Sequence, residues 1–98
     1  MSNPDEEARI QANVDVIQGY LLDQFKGFEL TDKPDRPVSH IFTATKSADE
    51  RYQLKVSWSQ LSDIKNTPER TKKLLVTDDV AGRMRGKSQG EHFWWGKP

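Results

Sequence analysis

The sequence predicts a single α+β domain, in which a long N-terminal helix packs on a small antiparallel sheet of two or three strands. Near the N-terminus, apolar residues recur every three or four positions, which is typical of one face of a helix. Residues 38–58 instead alternate between apolar and polar side chains, which is typical of strands with one buried face. One or two short helices and a flexible tail are predicted to follow.

The first helix is predicted to run from about residue 4 to residue 26. Pro4 suits the first helical position, where the N–H that proline lacks would have no partner. Acidic side chains in the next turn suit the positive end of the helix dipole, and Gly27 is a typical stop. The apolar face of this helix consists of Ile10, Val14, Ile17, Leu21, Phe25 and Phe28.

A hairpin is predicted to follow, with strands at residues 38–45 and 51–58. A short strand at 28–31 precedes it, and residues 32–37 read as a loop because they contain two prolines and several charges. The apolar face of the hairpin comprises Val38, His40, Phe42, Ala44, Tyr52, Leu54, Val56 and Trp58. Its polar face, which is expected to be exposed to solvent, comprises Thr43, Thr45, Arg51, Gln53, Lys55 and Ser57.

The C-terminal half is predicted to be helical in short pieces. Residues 61–65 read as an irregular link, and Asn66 or Thr67 before Pro68 is a typical helix start. The sequence Thr77-Asp78-Asp79 is a second capping signal. It leaves open whether one bent helix or two short ones precede Gly86.

The composition fits one small domain of 98 residues, which we expect to span residues 1–86, with a glycine-rich aromatic tail at 87–98. The absence of cysteine excludes a disulfide scaffold and Cys-based zinc sites. No apolar run approaches the ~20 residues needed to span a bilayer. The N-terminal residues are acidic where a signal peptide is basic, so a cytoplasmic location is expected.

The segment 82–98 holds four of the six glycines and two of the three tryptophans. Its aromatic residues are costly to leave in water, and the sequence leaves two outcomes open. They fold back onto the domain and complete its core, or they dock on a partner or a second copy of the chain. Because Trp, Phe and Arg dominate binding hot spots, the predicted partner-binding residues are Arg83, Arg85, Lys87, Phe93, Trp94 and Trp95.

Catalysis is not expected, and no cofactor, metal or small-molecule substrate is indicated. His40 lies on the apolar strand face and is predicted to pack or to hydrogen-bond there. His92 is too far along the chain from it to form a recognisable metal-ligand spacing. The predicted function is therefore non-enzymatic binding, in a regulatory or accessory role, through contact with a protein or a second copy and not with a membrane.

Nucleic-acid binding is the alternative, because the charge is divided between the halves of the chain. Residues 1–50 carry five basic and ten acidic residues, and residues 51–98 carry ten and five. This alternative uses the basic C-terminal half, either for single strands by charge and stacking or for duplex RNA. Its candidate residues are Arg70, Lys72, Lys73, Arg83 and Arg85.

Two segments resemble parts of the double-stranded RNA-binding domain, and the element order is similar. Pro-Val-Ser-His-Ile-Phe at 37–42 resembles the loop before that family's second strand, and Arg-Thr-Lys-Lys at 70–73 resembles its basic helix start. The resemblance implies contacts with phosphates and 2′-hydroxyls. The chain lacks the family's fuller Lys-Lys-x-Ala-Lys spacing, and the acidic first helix would repel phosphates, so membership is not claimed.

Overall fold

The structure, a computed structural model, describes residues 4–35, 38–88 and 90–96. It confirms the α+β class, with a long N-terminal helix, a sheet and short C-terminal helices. The elements in chain order are α1 (Pro4–Gln24), β1 (Glu29–Asp35), β2 (Ser39–Ser47), β3 (Glu50–Ser57), α2 (Trp58–Ser62), α3 (Pro68–Thr77), α4 (Val80–Arg85) and β4 (His92–Trp95).

The sheet has four strands in the order β1-β2-β3-β4, one more than the largest number predicted. The first three strands pair antiparallel, as the hairpin pattern predicts. The fourth pairs parallel with β3, with Phe93 opposite Leu54 and Trp95 opposite Val56. Part of the segment that the sequence assigned to a flexible tail is therefore a strand, because Phe93 and Trp95 alternate onto the apolar face.

Strand β1 is longer than its sequence indicates. The predicted loop at 32–37 was wrong as far as Asp35, because β1 continues to that residue, and Pro34 pairs with His40 of β2. Strand β1 lies at the edge of the sheet, which is where a strand tolerates proline. Residues 36 and 37 lie outside the described part of the chain.

All the helices pack on one side of the sheet, and we call that side the inner face. Leu54 and Val56 of β3 are fully buried there, and Trp95 of β4 is 5% exposed. Val38, predicted on this face, lies instead in the turn before β2 and is 56% exposed. The core consists of Ile10, Val14, Ile17, Leu21, Phe25, Phe42, Ala44, Leu54, Val56, Leu61, Leu75, Val80, Ala81, Met84 and Trp95.

A buried asparagine joins the helices to one another. The Nδ2 of Asn13, a fully buried residue of α1, donates to the carbonyl oxygens of Leu61 and Asn66, at 2.9 and 2.8 Å. Its Oδ1 accepts from the hydroxyl of Thr71 at 2.9 Å. Because buried polar groups are costly when unpaired, this set of bonds fixes α3 and the end of α2 against α1.

The residues at the N-cap positions of the three short helices are Ser57, Thr67 and Asp79. The side chains of Ser57 and Thr67 accept from the backbone N–H groups of Gln60 and Arg70, as N-caps do. Trp58, predicted as a strand end, and Leu61 and Ser62, predicted as part of a link, thus lie in a capped helix. The helix start predicted from Thr77-Asp78-Asp79 is confirmed, because α4 begins at Val80 with Asp79 at its N-cap position. The side-chain capping bond is absent, because Asp79 has φ 49° and its side chain makes no cap hydrogen bond.

Candidate binding surface

Trp95, one of the predicted partner-binding residues, belongs to the core. Its indole Nε1 donates to Oδ2 of Asp78 at 2.9 Å, which gives the buried ring a polar partner. The Asp78 carboxylate therefore accepts this hydrogen bond and is not the N-cap of α4. Trp95 is therefore unavailable to a partner in the folded chain.

Phe93 and Arg83, two further predicted residues, come together beside this core. The Phe93 ring is half-buried against the core cluster. The guanidinium carbon of Arg83 lies 5.9 Å from the ring centroid, at the outer limit of a cation–π contact. Arg83 Nε also donates to the Asp78 carbonyl at 2.8 Å, so this side chain of α4 contacts both the end of α3 and β4.

Trp94 points to the other side of the sheet. Side chains alternate along a strand, so Trp94 lies on the face opposite to Phe93 and Trp95. The register places it beside Lys55 and places His92 beside Gln53. Trp94 is half-buried, and its Nε1 is buried without a hydrogen-bond partner in the part of the chain that the structure describes.

We call this second side of the sheet the outer face. Its central residues are exposed or half-buried, whereas Phe42, Ala44, Leu54 and Val56 at the centre of the inner face are buried. A shallow depression of about 370 Å³ lies over β1, β2 and β3, with Lys33 and Arg51 among its lining residues. The outer face consists of Thr31, Lys33, Ile41, Thr43, Thr45, Arg51, Gln53, Lys55, His92 and Trp94.

The positive charge of the outer face extends to its β4 edge. Partial burial lowers the pKa of His92, and the positive charges of Lys55 and Lys87 act in the same direction. Glu91 is the nearby carboxylate, and the hydrogen bond from the Ser88 backbone N–H lowers its pKa. The predicted residue Lys87 is thus exposed at this edge and contributes to a positive local potential.

The residues of the nucleic-acid alternative lie on the helical side. Arg70, Lys72 and Lys73 are exposed on α3, and Arg83 and Arg85 are on α4. Arg85 is held in place, because it donates to the Gln24 carbonyl and its guanidinium carbon lies 4.5 Å from the Phe25 ring centroid. Arg70 Nε donates to Asn66 Oδ1 at 3.2 Å. Among the described residues, the Lys72 and Lys73 side chains have no comparable hydrogen bond or ring contact.

His40 has the hydrogen-bonding role predicted for it. It is 8% exposed, and its Nε2 lies 2.7 Å from Oδ2 of Asp32 on the neighbouring strand. The other Asp32 oxygen accepts from Gln18 Nε2 at 2.5 Å. The three side chains connect β2, β1 and α1 beside a crevice of about 190 Å³. A structural role, in which they hold these three elements together, accounts for all of these contacts.

The sequence analysis did not place Lys33, Arg51 and Lys55 together on one surface. The alternation of polar residues predicted the exposed face of β2 and β3, but the interpretation gave it no binding role. Lys33 was assigned to a loop, and the fourth strand that brings Trp94 beside Lys55 was not predicted. The missing information was the pairing of strands, because it sets these side chains on one surface.

The described residues contain neither a metal-binding cluster nor a membrane-spanning helix. No group of three or more His, Cys, Asp or Glu residues there could hold a metal ion. None of the helices in that part of the chain is both long and apolar enough to cross a membrane. No protein-family model matches the chain, and neither the curated proteins nor the solved structures include a match.

Proposed function

We propose that this chain is a non-enzymatic binding protein that recognises an acidic segment of a protein partner on its outer face. The observation that carries the proposal is the grouping of Lys33, Arg51 and Lys55 with Trp94 on the side of the sheet that the helices leave open. We expect this binding to serve a regulatory or accessory role.

The charge distribution of the outer face favours an anionic partner. Its basic residues occupy β1, β3 and the neighbouring loop, whereas the outer carboxylates of β1, Glu29 and Asp35, stand at the two ends of that strand. The middle of this face therefore carries basic side chains with carboxylates only at its margin, and a locally basic surface attracts an acidic partner and orients its approach. Partial burial is the main cause of the lowered pKa of His92, and the positive charges of Lys55 and Lys87 on this side add to it.

The uncharged residues of the outer face supply the other parts of a binding site. Thr43, Thr45 and Gln53 provide hydroxyl and amide groups that can donate or accept hydrogen bonds. Trp94 supplies an aromatic anchor of the kind that dominates interface hot spots. Strand β4 lies at the edge of the sheet, where an extended segment can add its backbone to the ladder. Together these features suit an extended peptide with acidic side chains.

Single-stranded nucleic acid is a second candidate for the same face. Trp94 beside Lys55, with Lys87 close to His92 on the same strand, resembles the combination of aromatic and basic side chains on which single strands stack. The net charge of zero favours the protein partner instead, because nucleic-acid binders are usually basic overall.

The proposal is tested by titrating the isotope-labelled chain with a polyglutamate peptide and following backbone amide shifts. We expect the shifts to concentrate on β3 and β4. We expect Lys33→Ala/Lys55→Ala to weaken binding about tenfold, the loss of roughly 1.4 kcal/mol. The matched control is Lys72→Ala/Lys73→Ala, which removes the same charge from the helical side and should leave the affinity unchanged.

Three outcomes decide between the candidates. No binding of polyglutamate at low salt, or equal losses in the two double variants, would overturn the proposal. A labelled single-stranded oligonucleotide that binds more tightly than the peptide, with an affinity that falls steeply as salt rises, would support the nucleic-acid candidate instead. A polylysine peptide should not bind.

A further inference from the structure

A groove on the helical side of the molecule lies where α1 and α3 pack together. Its volume is about 400 Å³, and its apolar lining comes from Val16, Tyr20 and Val76. Gly19 also lines the groove, and a Cβ atom added at this glycine would meet no atom within 4 Å. The groove is therefore open space over a partly apolar floor, on the opposite side of the sheet from the outer face.

A ridge of α3 borders the groove. Lys72 and Val76 are one helical turn apart and line the groove, and they share the exposed surface of α3 with Glu69, Lys73 and Thr77. Val76 is 65% exposed, so the ridge offers an apolar side chain to a partner. A ridge of residues four apart beside a groove is the geometry by which two helices pack.

The charges on the two walls of the groove are of opposite sign. Asp15 and Asp23 stand on the α1 wall, and Lys72 stands on the α3 wall with Lys73 beyond it. The exceptions are Glu69, near the start of α3, and Lys26, which lies 4.0 Å from Asp23. A surface with acidic residues on one side and basic residues on the other is complementary to its own copy after a two-fold rotation.

We infer that this surface binds a second copy of the chain in a two-fold dimer. The α3 ridge of each copy lies in the groove of the other, with Val76 over Gly19, and the lysines of each α3 face the aspartates of the other α1. The inference stands apart from the proposed function, because the two outer faces remain free in such a dimer.

The experiment measures the mass of the full chain by light scattering after size exclusion over a series of concentrations. The wild-type chain should dimerise as concentration rises. Val76→Asp should weaken the dimer about tenfold or more, because it places a charge in an apolar contact. Val38→Asp is the matched control: Val38 is also an exposed valine, but lies away from the groove, and this variant should dimerise like the wild type.

Charge reversal gives a sharper test that does not depend on the stability of a single variant. Lys72→Glu/Lys73→Glu alone and Asp15→Lys/Asp23→Lys alone should both be monomeric, since like charges then meet at both contacts. Mixed in equal amounts, the two variants should form a heterodimer, because each contact regains opposite charges. A wild-type chain that stays monomeric at every concentration, or a mixture that does not associate, would overturn the inference.

Discussion

Trp94 and Trp95 are neighbours in the chain and belong to opposite sides of the sheet. Trp95 is 5% exposed, lies under the helices and donates to Asp78. Trp94 lies on the outer face beside Lys55, and its indole Nε1 has no partner in the described part of the molecule. Two identical side chains thus differ in role because strand register, rather than residue type, assigns each to a face.

The difference separates stability from binding within one short strand. The inner side of β4 completes an undersized core, which is the outcome that the aromatic composition alone left undecided. The outer side adds an aromatic ring to a basic polar surface. The four residues of β4 therefore serve both halves of the molecule, and substitutions at adjacent positions should have different consequences.

The largest expected effect comes from removing each indole in turn. Trp95→Ala should lower the free energy of unfolding by about 3–5 kcal/mol, as expected for an aromatic residue removed from a core. Trp94→Ala should cost about 1 kcal/mol, because its ring is only half-buried. Guanidinium denaturation measures both values. Equal losses would show that the two faces do not differ in the way their burial indicates.

A smaller effect isolates the indole N–H groups. Trp95→Phe keeps most of the ring and removes the bond to Asp78, so it should cost about 1–3 kcal/mol. Trp94→Phe removes a buried donor that has no partner, and its lost contacts and relieved desolvation should nearly cancel. Thermal melting of the two variants under one buffer condition gives the comparison. A Trp94→Phe loss as large as that of Trp95→Phe would contradict it.

The smallest expected effect concerns the charge of the outer face. An NMR titration should give His92 a pKa below the ordinary 6.5, and Lys55→Gln should raise it, because one of the neighbouring positive charges is gone. Lys72→Gln, on the helical side, is the control and should leave the pKa unchanged. Because the unfolded chain takes up this proton more readily, the fold loses a little stability as pH falls through 6.5. A His92 pKa above 6.5 would contradict the positive potential.

The elements that the sequence predicts well are those with several turns or alternations of signal. Helix α1 repeats its apolar spacing over many residues, and the β2–β3 hairpin alternates over two strands. Strand β4 offers only two inward side chains, Phe93 and Trp95, in a segment rich in glycine. Such a short signal cannot be told from a loop, so the fourth strand required knowledge of what it pairs with.

The candidate surface was less predictable than the fold, for a related reason. Lys33, Lys55 and Trp94 come from three strands that are distant in sequence, and only the pairing of β1, β2, β3 and β4 brings them onto one face. The residues proposed from the tail composition were divided by the same pairing. The side chains of Phe93 and Trp95 lie on the inner face. Trp94 is half-buried on the outer face, and Lys87 is exposed.

The parallel pairing of β4 with β3 has a consequence for the order of folding. The β2–β3 hairpin is joined by a short turn, whereas β3 and β4 are separated in the chain by α2, α3 and α4. Contacts between distant residues require loop closure and are slow to form. Until β4 pairs with it, the backbone edge of β3 that faces β4 has no strand partner. That interval is when the chain is most exposed to strand pairing with another molecule.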